Sequence, residues 1–168
     1  MKRTTLSPLK KIYACLKDFR SELSELKSAQ VRLVFTNGCF DLLHCGHMYG
    51  LNQARLRGDY LIVGLNTDDS VCKLKGAGRP LVNGEDRAYM LASLQSVDAV
   101  ILFDEDTPIE LIRAIRPDVL VKGQDYEESE MIGGKFVKGY GGEVVRLPLK
   151  VGFSTSAIIN KIKNNDTQ

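Results

Sequence analysis

Apolar residues in this chain come in short, nearly unbroken runs. They occupy residues 31–35, 60–65, 99–103, 119–121 and 144–147. A strand with one wet face alternates apolar and polar positions, whereas a strand buried on both faces need not. The runs therefore predict five strands of a parallel sheet. Between them the apolar residues fall three and four apart. Met48, Leu51 and Ala54 mark one helix, with Gly58 expected as its C-cap. Ala88, Leu91 and Ala92 mark a second, opened by Asn83. Thr107, Pro108 and Glu110 read as N-cap, first-turn proline and acidic third position. Leu111, Ile112 and Ile115 then form the buried face, and Pro117 stops that helix. A last helix is expected to open at Ser154-Thr155-Ser156 and to bury Ile159 and Ile162. Strands alternating with helices, joined by right-handed crossovers, predict a doubly wound, Rossmann-like α/β fold. Its ligand site should lie at the carboxyl ends of the strands.

An extra helix is expected ahead of the sheet. Ser7-Pro8 is a start signal. Leu9, Ile12, Leu16, Phe19, Leu23 and Leu26 follow at alternating spacings of three and four. Such a stripe either docks on its own domain or pairs with a second copy as a homodimer. It is shorter than the roughly three to four heptads that argue for an independent coiled coil. The expected division is a helical extension over 1–30, an α/β domain over 31–163 and a frayed tail over 164–168.

Composition narrows the partners. The chain is 43% hydrophobic and 26% charged, as ordinary globular proteins are. With 23 basic and 21 acidic residues the net charge is only +2, so no nucleic-acid partner is expected. No apolar run approaches the roughly 18–20 residues that span a bilayer, and no apolar stretch follows the basic start Met1-Lys2-Arg3. A membrane partner and a signal peptide are therefore not expected. Cys15, Cys39, Cys45 and Cys72 form no C-x-x-C pair and read as reduced thiols of a cytoplasmic protein. The chain has two histidines, both within His44-Cys45-Gly46-His47.

That segment carries the chemistry. The first predicted strand runs into Thr36-Asn37-Gly38-Cys39-Phe40-Asp41-Leu42-Leu43-His44. Asn37-Gly38 makes a tight turn where the strand ends. Backbone N–H groups there and at the next helix N-terminus can face an anion. His44 and His47, three apart, share a helix face, and Gly46 between them lets a ligand approach the backbone. Together they form a cradle for a phosphate. A single histidine at a helix start is usually a polar cap, but here both histidines gather at one predicted ligand edge. A metal site from His44, Cys45 and His47 is disfavoured, because Cys45 and His47 point to different helix faces and the zinc spacings are absent. Other nucleotide motifs fail. Gly134-Lys135 is followed by Phe136, and neither Gly76-Ala77-Gly78 nor Gly139-Tyr140-Gly141 completes G-x-G-x-x-G.

Residues 36–47 resemble the H-x-G-H signature of the cytidylyltransferase-like nucleotidyltransferases. Further segments narrow the likeness: Gly64-Leu65-Asn66-Thr67-Asp68, Leu74-Lys75-Gly76, Arg79-Pro80, Glu85-Asp86-Arg87, Val97-Asp98, Glu105-Asp106-Thr107-Pro108, Arg116-Pro117-Asp118 running on to Lys122-Gly123, Asp125-Tyr126, Tyr140-Gly141-Gly142-Glu143-Val144 and Ser154-Thr155-Ser156. Over about residues 31–163 the chain is similar to bacterial D-glycero-D-manno-heptose 1-phosphate adenylyltransferases. That activity also occurs as the C-terminal half of a bifunctional enzyme whose other half is a sugar kinase. The resemblance implies that ATP and heptose 1-phosphate give ADP-heptose and pyrophosphate, for lipopolysaccharide or another surface glycan. A length of 168 residues leaves no room for a kinase half, so a separate sugar kinase is expected upstream. The sugar phosphate is already ionised near neutral pH, so positioning and charge neutralisation suffice without a general base.

The resemblance also implies roles. His44 and His47 would contact the triphosphate at the transition state, with Lys75 as a third catalytic group. Thr36, Asn37, Gly38, Cys39, Phe40 and Gly46 would line the nucleotide cleft. Asp41 would orient the turn and border the sugar phosphate. Asn66 and Asp68 lie where the family places substrate and metal contacts; for Asp68 the alternative is to cap a short helix. Lys75 and Arg79 sit in a glycine-bearing loop suited to be a lid. Arg87 opens a helix, where a cation calls for an anionic partner, either phosphate or nearby Asp and Glu. Lys122 and Gly123 end the fourth predicted strand and would face nucleotide or sugar phosphate. Asp125 would accept sugar hydroxyls. Ser154 and Thr155 open a helix that can hold phosphate. Related cytidylyltransferases carry an arginine just before that motif; here Lys150 stands nearby. No dedicated metal cage is expected, and Mg²⁺ would ride on the ATP phosphates. The alternatives are a glycerol 3-phosphate cytidylyltransferase and a non-catalytic nucleotide-binding regulatory module.

Overall fold

The computed structural model describes residues 7–123, 131–148 and 154–165. A 3-10 turn, Pro8–Lys11, leads into β1 (Ile12–Tyr13), α1 (Leu16–Ser28), β2 (Leu33–Gly38), α2 (Cys45–Arg55) and β3 (Tyr60–Asn66). Then come α3 (Asp68–Lys75), α4 (Gly84–Ser93), β4 (Ala99–Phe103), α5 (Ile109–Ile115), β5 (Val119–Gly123), α6 (Gly134–Gly139), β6 (Glu143–Leu147) and α7 (Thr155–Asn165). The strands lie in the order β1-β4-β3-β2-β5-β6, and every pairing is parallel.

Both faces of this sheet are covered, which explains the unbroken apolar runs. Val34, Leu61, Val63 and Val100 pack against Leu51 and Ala54 of α2 and Ala88 and Leu91 of α4. Their neighbours Leu33, Phe35, Ile62 and Ile101 point the other way, against Phe19 of α1, Ile112 and Ile115 of α5 and Val137 of α6. The chain winds outward from β2 through β3 to β4, then returns to place β5 on the other side of β2. The resulting switch point between β2 and β5 opens a crevice at the carboxyl edge.

The structure corrects several expectations. The sheet has six strands, because Ile12–Tyr13 pairs with Val100 and Ile101 at the edge. The N-terminal stripe is accordingly not one helix but a turn, a short strand and α1. Phe19 is fully buried, and Leu16, Leu23 and Leu26 pack against the sheet of their own chain, leaving Leu9 exposed. Gly58 is not the C-cap of α2, which ends at Arg55. A Cβ at Gly58 would lie 2.6 Å from the Arg32 carbonyl oxygen and 2.7 Å from Val34 Cγ2, so glycine serves close approach there. Pro108 rather than Thr107 caps α5, without a side-chain bond. On α7, Ile162 is 55% exposed and not buried. Asn83 does open α4, its side chain accepting from the Asp86 amide at 2.9 Å.

Candidate active site

The crevice is built from strand ends. Thr36, Asn37 and Gly38 close β2. Phe40 then adopts a left-handed φ of 47°, uncommon for a residue with a side chain. Its ring folds back over Gly38 and comes to 5.2 Å from the His47 ring. Asp41 is 3% exposed and accepts from the amides of Leu81 at 2.7 Å and Val82 at 3.1 Å, and from Arg79 Nε. Burial alone would raise its pKa. The two amides and the guanidinium win, and its carboxyl lies below the usual range.

His44 is the N-cap of α2, its Nδ1 accepting from the Gly46 amide at 3.1 Å. That bond leaves Nε2 as the nitrogen that carries the proton. The His44 and His47 rings stack with centroids 3.9 Å apart and planes 20° apart. Burial holds both imidazoles below their ordinary pKa. For His47 burial and the His44 ring outweigh the opposing Leu42 carbonyl and bring it to about 4. Both are therefore neutral near pH 7. His47 Nδ1 is buried and has no hydrogen-bond partner among the described residues. Burial pushes the Cys39 thiol up despite nearby Lys75 and Arg87, which removes it as a thiolate nucleophile.

A cleft of about 460 Å³ opens over these strand ends. It brings together Thr36, Asn37, Gly38, Cys39, Phe40, Asp41, His47, Asn66, Lys75, Arg79, Lys122, Gly123 and Thr155 of the predicted site. A second, smaller cavity of about 130 Å³ shares Thr36, Phe40, His47, Lys122 and Gly123 and adds Gly46, Gly50, Leu51, Val121 and Leu147. His47 thus stands where a polar lobe meets an apolar one. Lys122 Nζ donates to Asn37 Oδ1, tying β5 to β2 across the switch point. His44 does not line the larger cleft; it backs His47.

Several expectations are refined or corrected here. Arg87 is fully buried and away from the cleft walls. Its guanidinium donates to Asp68 Oδ1 at 2.6 Å, and to the carbonyls of Cys39 at 2.5 Å, Asn66 at 2.9 Å and Val82 at 3.0 Å. Of the two anionic partners expected, phosphate or a nearby Asp or Glu, the carboxylate of Asp68 is the one present, so Arg87 is not placed for the nucleotide. Asp68 also accepts from the Gly84 amide at 3.1 Å and faces residues 83–85 instead of the crevice. Neither does it cap α3, because Thr67 is the N-cap. Ser154 spends its hydroxyl on the Ala157 amide at 3.1 Å, while Thr155 and Ser156 line the cleft. Asp125 and Lys150 lie outside the described residues. Lys75 is the last residue of α3 and not part of a loop; Gly76 follows with φ 92°. Sequence reasoning missed Leu74, Asp106, Pro108, Met131 and Ile132 as lining residues, while Ser156 belongs to the motif it named. The end of β4 was predicted, so the loop after it was a findable place for Asp106.

The sequence profile of the cytidylyltransferase-like family matches residues 35–161, most of the chain and the whole crevice. The chain belongs to that family. As a member it is a nucleotidyltransferase domain. The Bifunctional protein HldE of Methylobacillus flagellatus is 60% identical over 131 residues, covering 78% of this chain and 27% of that protein. The protein of the same name from Caulobacter vibrioides is 58% identical over 134 residues, 80% of this chain and 28% of that one. The chain thus spans little more than a quarter of the curated relatives it matches. Among solved structures, a lipopolysaccharide core biosynthesis protein from Thermoplasma volcanium superposes with TM-score 0.58 at 25% identity, covering 71% of this chain and 97% of that one. A pantoate-beta-alanine ligase from Francisella tularensis gives TM-score 0.62 at 17% identity over 94% of this chain and 79% of that one, a likeness of fold.

A cytidylyltransferase-like crevice of this make-up favours charge stabilisation over proton transfer. Neutral imidazoles, lysines and helix N-termini offer hydrogen-bond donors and positive charge rather than a nucleophile or base.

Proposed function

We propose that this domain transfers the AMP moiety of ATP to D-glycero-D-manno-heptose 1-phosphate, giving ADP-heptose and pyrophosphate for a surface glycan. A phosphate oxygen of the sugar phosphate attacks the α-phosphorus in line, a new P–O bond forms, and the bond to the β-phosphate oxygen breaks. Electron density builds on the α-phosphoryl oxygens and on the departing pyrophosphate. His47 is placed to donate a hydrogen bond to that charge, with the His44 ring fixing its orientation. Lys122 on one side and Lys75 on the other supply positive charge. The observation that carries this reading is the position of His47, shared by the polar lobe and the apolar one. A flat, uncharged base suits the apolar lobe, which leaves the polar lobe for the phosphates and the acceptor.

Mg²⁺ belongs to the proposal as the ion carried by ATP. Such an ion would be held mainly by the phosphate oxygens, as Mg²⁺ commonly is. When bound it neutralises triphosphate charge. The relatives are called bifunctional and this chain matches about a quarter of each. A sugar kinase that supplies the heptose 1-phosphate stays part of the proposal, as does a cytoplasmic location. Among the described residues no helix is long and apolar enough to cross a membrane.

The test is pyrophosphate release across a matrix of ATP, CTP and GTP with heptose 1-phosphate and glycerol 3-phosphate. ATP with heptose 1-phosphate should be the best pair by at least about tenfold in kcat/KM. Turnover confined to CTP with glycerol phosphate would replace the reading with the cytidylyltransferase alternative, and no turnover with any pair would favour the regulatory module.

A further inference from the structure

The larger cleft crosses the carboxyl ends of β5, β2 and β3 and reaches the loop after β4. Three strand spacings separate β5 from β4, about 14 Å at roughly 4.8 Å each. His47 stands over β2, and the apolar lobe lies on the α2–β5 side. A nucleotide on that side leaves the β3–β4 end of the cleft for the acceptor.

Asp106 borders that end. The cleft's other lining aspartate, Asp41, is committed to Arg79 and two amides. Asp106 is exposed and makes no hydrogen bond or ion pair among the described residues. Its loop is nonetheless anchored. Asp104 accepts from Thr67 Oγ1 at 2.5 Å and sits 3.9 Å from Lys73 Nζ, and the Thr67 amide donates to Phe103 O at 3.0 Å. A free carboxylate beside a site for two phosphorylated substrates is repulsive unless it meets a cation or hydrogen-bond donors, and at the β3–β4 end, away from the nucleotide side, donors on the acceptor are the nearer of the two. The hydroxyls of a sugar or polyol are such donors, and a carboxylate can accept from two of them.

We infer that Asp106 accepts hydrogen bonds from hydroxyls on the non-reacting part of the acceptor, and so selects which phosphorylated sugar or polyol is used. The inference rests on the reading that this domain transfers a nucleotidyl group to a hydroxyl-bearing phosphate.

Asp106→Ala and Asp106→Asn test it through pyrophosphate release at saturating ATP, with heptose 1-phosphate and its monodeoxy analogues. Asp106→Ala should raise the acceptor KM by about ten- to hundredfold, the usual worth of a charge-assisted hydrogen bond, and leave the ATP KM within about twofold. Asp106→Asn keeps an acceptor oxygen and should lose less. Deleting the contacted hydroxyl should cost the unmodified domain about tenfold or more and the alanine variant almost nothing. A merely structural role would not produce that coupling. Equal penalties in both proteins would overturn the inference. So would a rise in ATP KM matching that of the acceptor, which would assign Asp106 to the metal–triphosphate. If glycerol 3-phosphate is the acceptor instead, the heptose reading fails, and the same coupling measured on its deoxy analogue decides the role of Asp106. Absence of turnover with every hydroxyl-bearing acceptor sinks both.

Discussion

His47 concentrates the residue-scale chemistry. Its imidazole is held near pKa 4 by burial and by the His44 ring, so the folded protein resists protonating it. In the unfolded chain it would titrate near 6.5. Between those values the unfolded state binds more protons, so stability falls as pH drops from about 6.5 toward 4. Urea midpoints at pH 7 and pH 4.5 should show that fall, and His47→Gln should flatten it; parallel falls in both proteins would remove His47 as the cause. The same substitution should lower kcat by about a hundredfold or more if His47 stabilises the transition state. The pair His44 and His47 was legible because both histidines lie three apart at a strand–turn–helix junction. Arg87 shows the limit. An arginine at a helix start announces an anionic partner, but only the fold reveals that Asp68 supplies it. Asp106 was harder to read for the opposite reason: the end of β4 placed its loop at the ligand edge, but an exposed aspartate in an acidic triplet looks like any solvated loop.

Elements were legible in proportion to their burial. The inner strands β2 to β5 are apolar on both faces because helices cover both, edge strand β6 keeps Glu143 and Arg146 exposed, and all five runs were read within two or three residues at each end. β1 has only two residues, too few to show a period, and its pairing with β4 is a tertiary fact. The helix caps were read less well where glycine was the signal, since glycine marks either a turn or a close contact. Gly58 is the second kind. Gly58→Ala should place its methyl against the Arg32 carbonyl and the Val34 side chain and destabilise by about 1–3 kcal/mol, the usual cost of overpacking. An unchanged denaturation midpoint would contradict that contact.

At the scale of the whole molecule, the crossover rule was enough to place the crevice at the carboxyl edge beside the first long strand. The rule could not say that residues preceding the α/β domain would complete the sheet. Ile12–Tyr13 covers the outer edge of β4, and Phe19 fills the face beneath it with Tyr13 packed edge-on at 4.9 Å. Phe19→Ala should cost about 3–5 kcal/mol, as deletion of a buried aromatic does. Loss of the whole segment would also expose an edge strand, and the remaining protein should associate in a concentration-dependent way visible by light scattering. A monodisperse, fully stable product would deny the segment its part in the fold.

The anchoring of Arg79 by Asp41 has a consequence of length. α3 ends at Lys75, and Arg79 and the amides of Leu81 and Val82 are fastened to Asp41. Only Gly76, Ala77 and Gly78 lie between the two fixed points, four residue steps and about 14 Å of chain at full stretch. Such a tether has too little slack to arch over a crevice three strand spacings wide. It can tuck a lysine onto a phosphate, as a short flap does, but it cannot wall off the acceptor, whose far end must answer to the loop beyond β4.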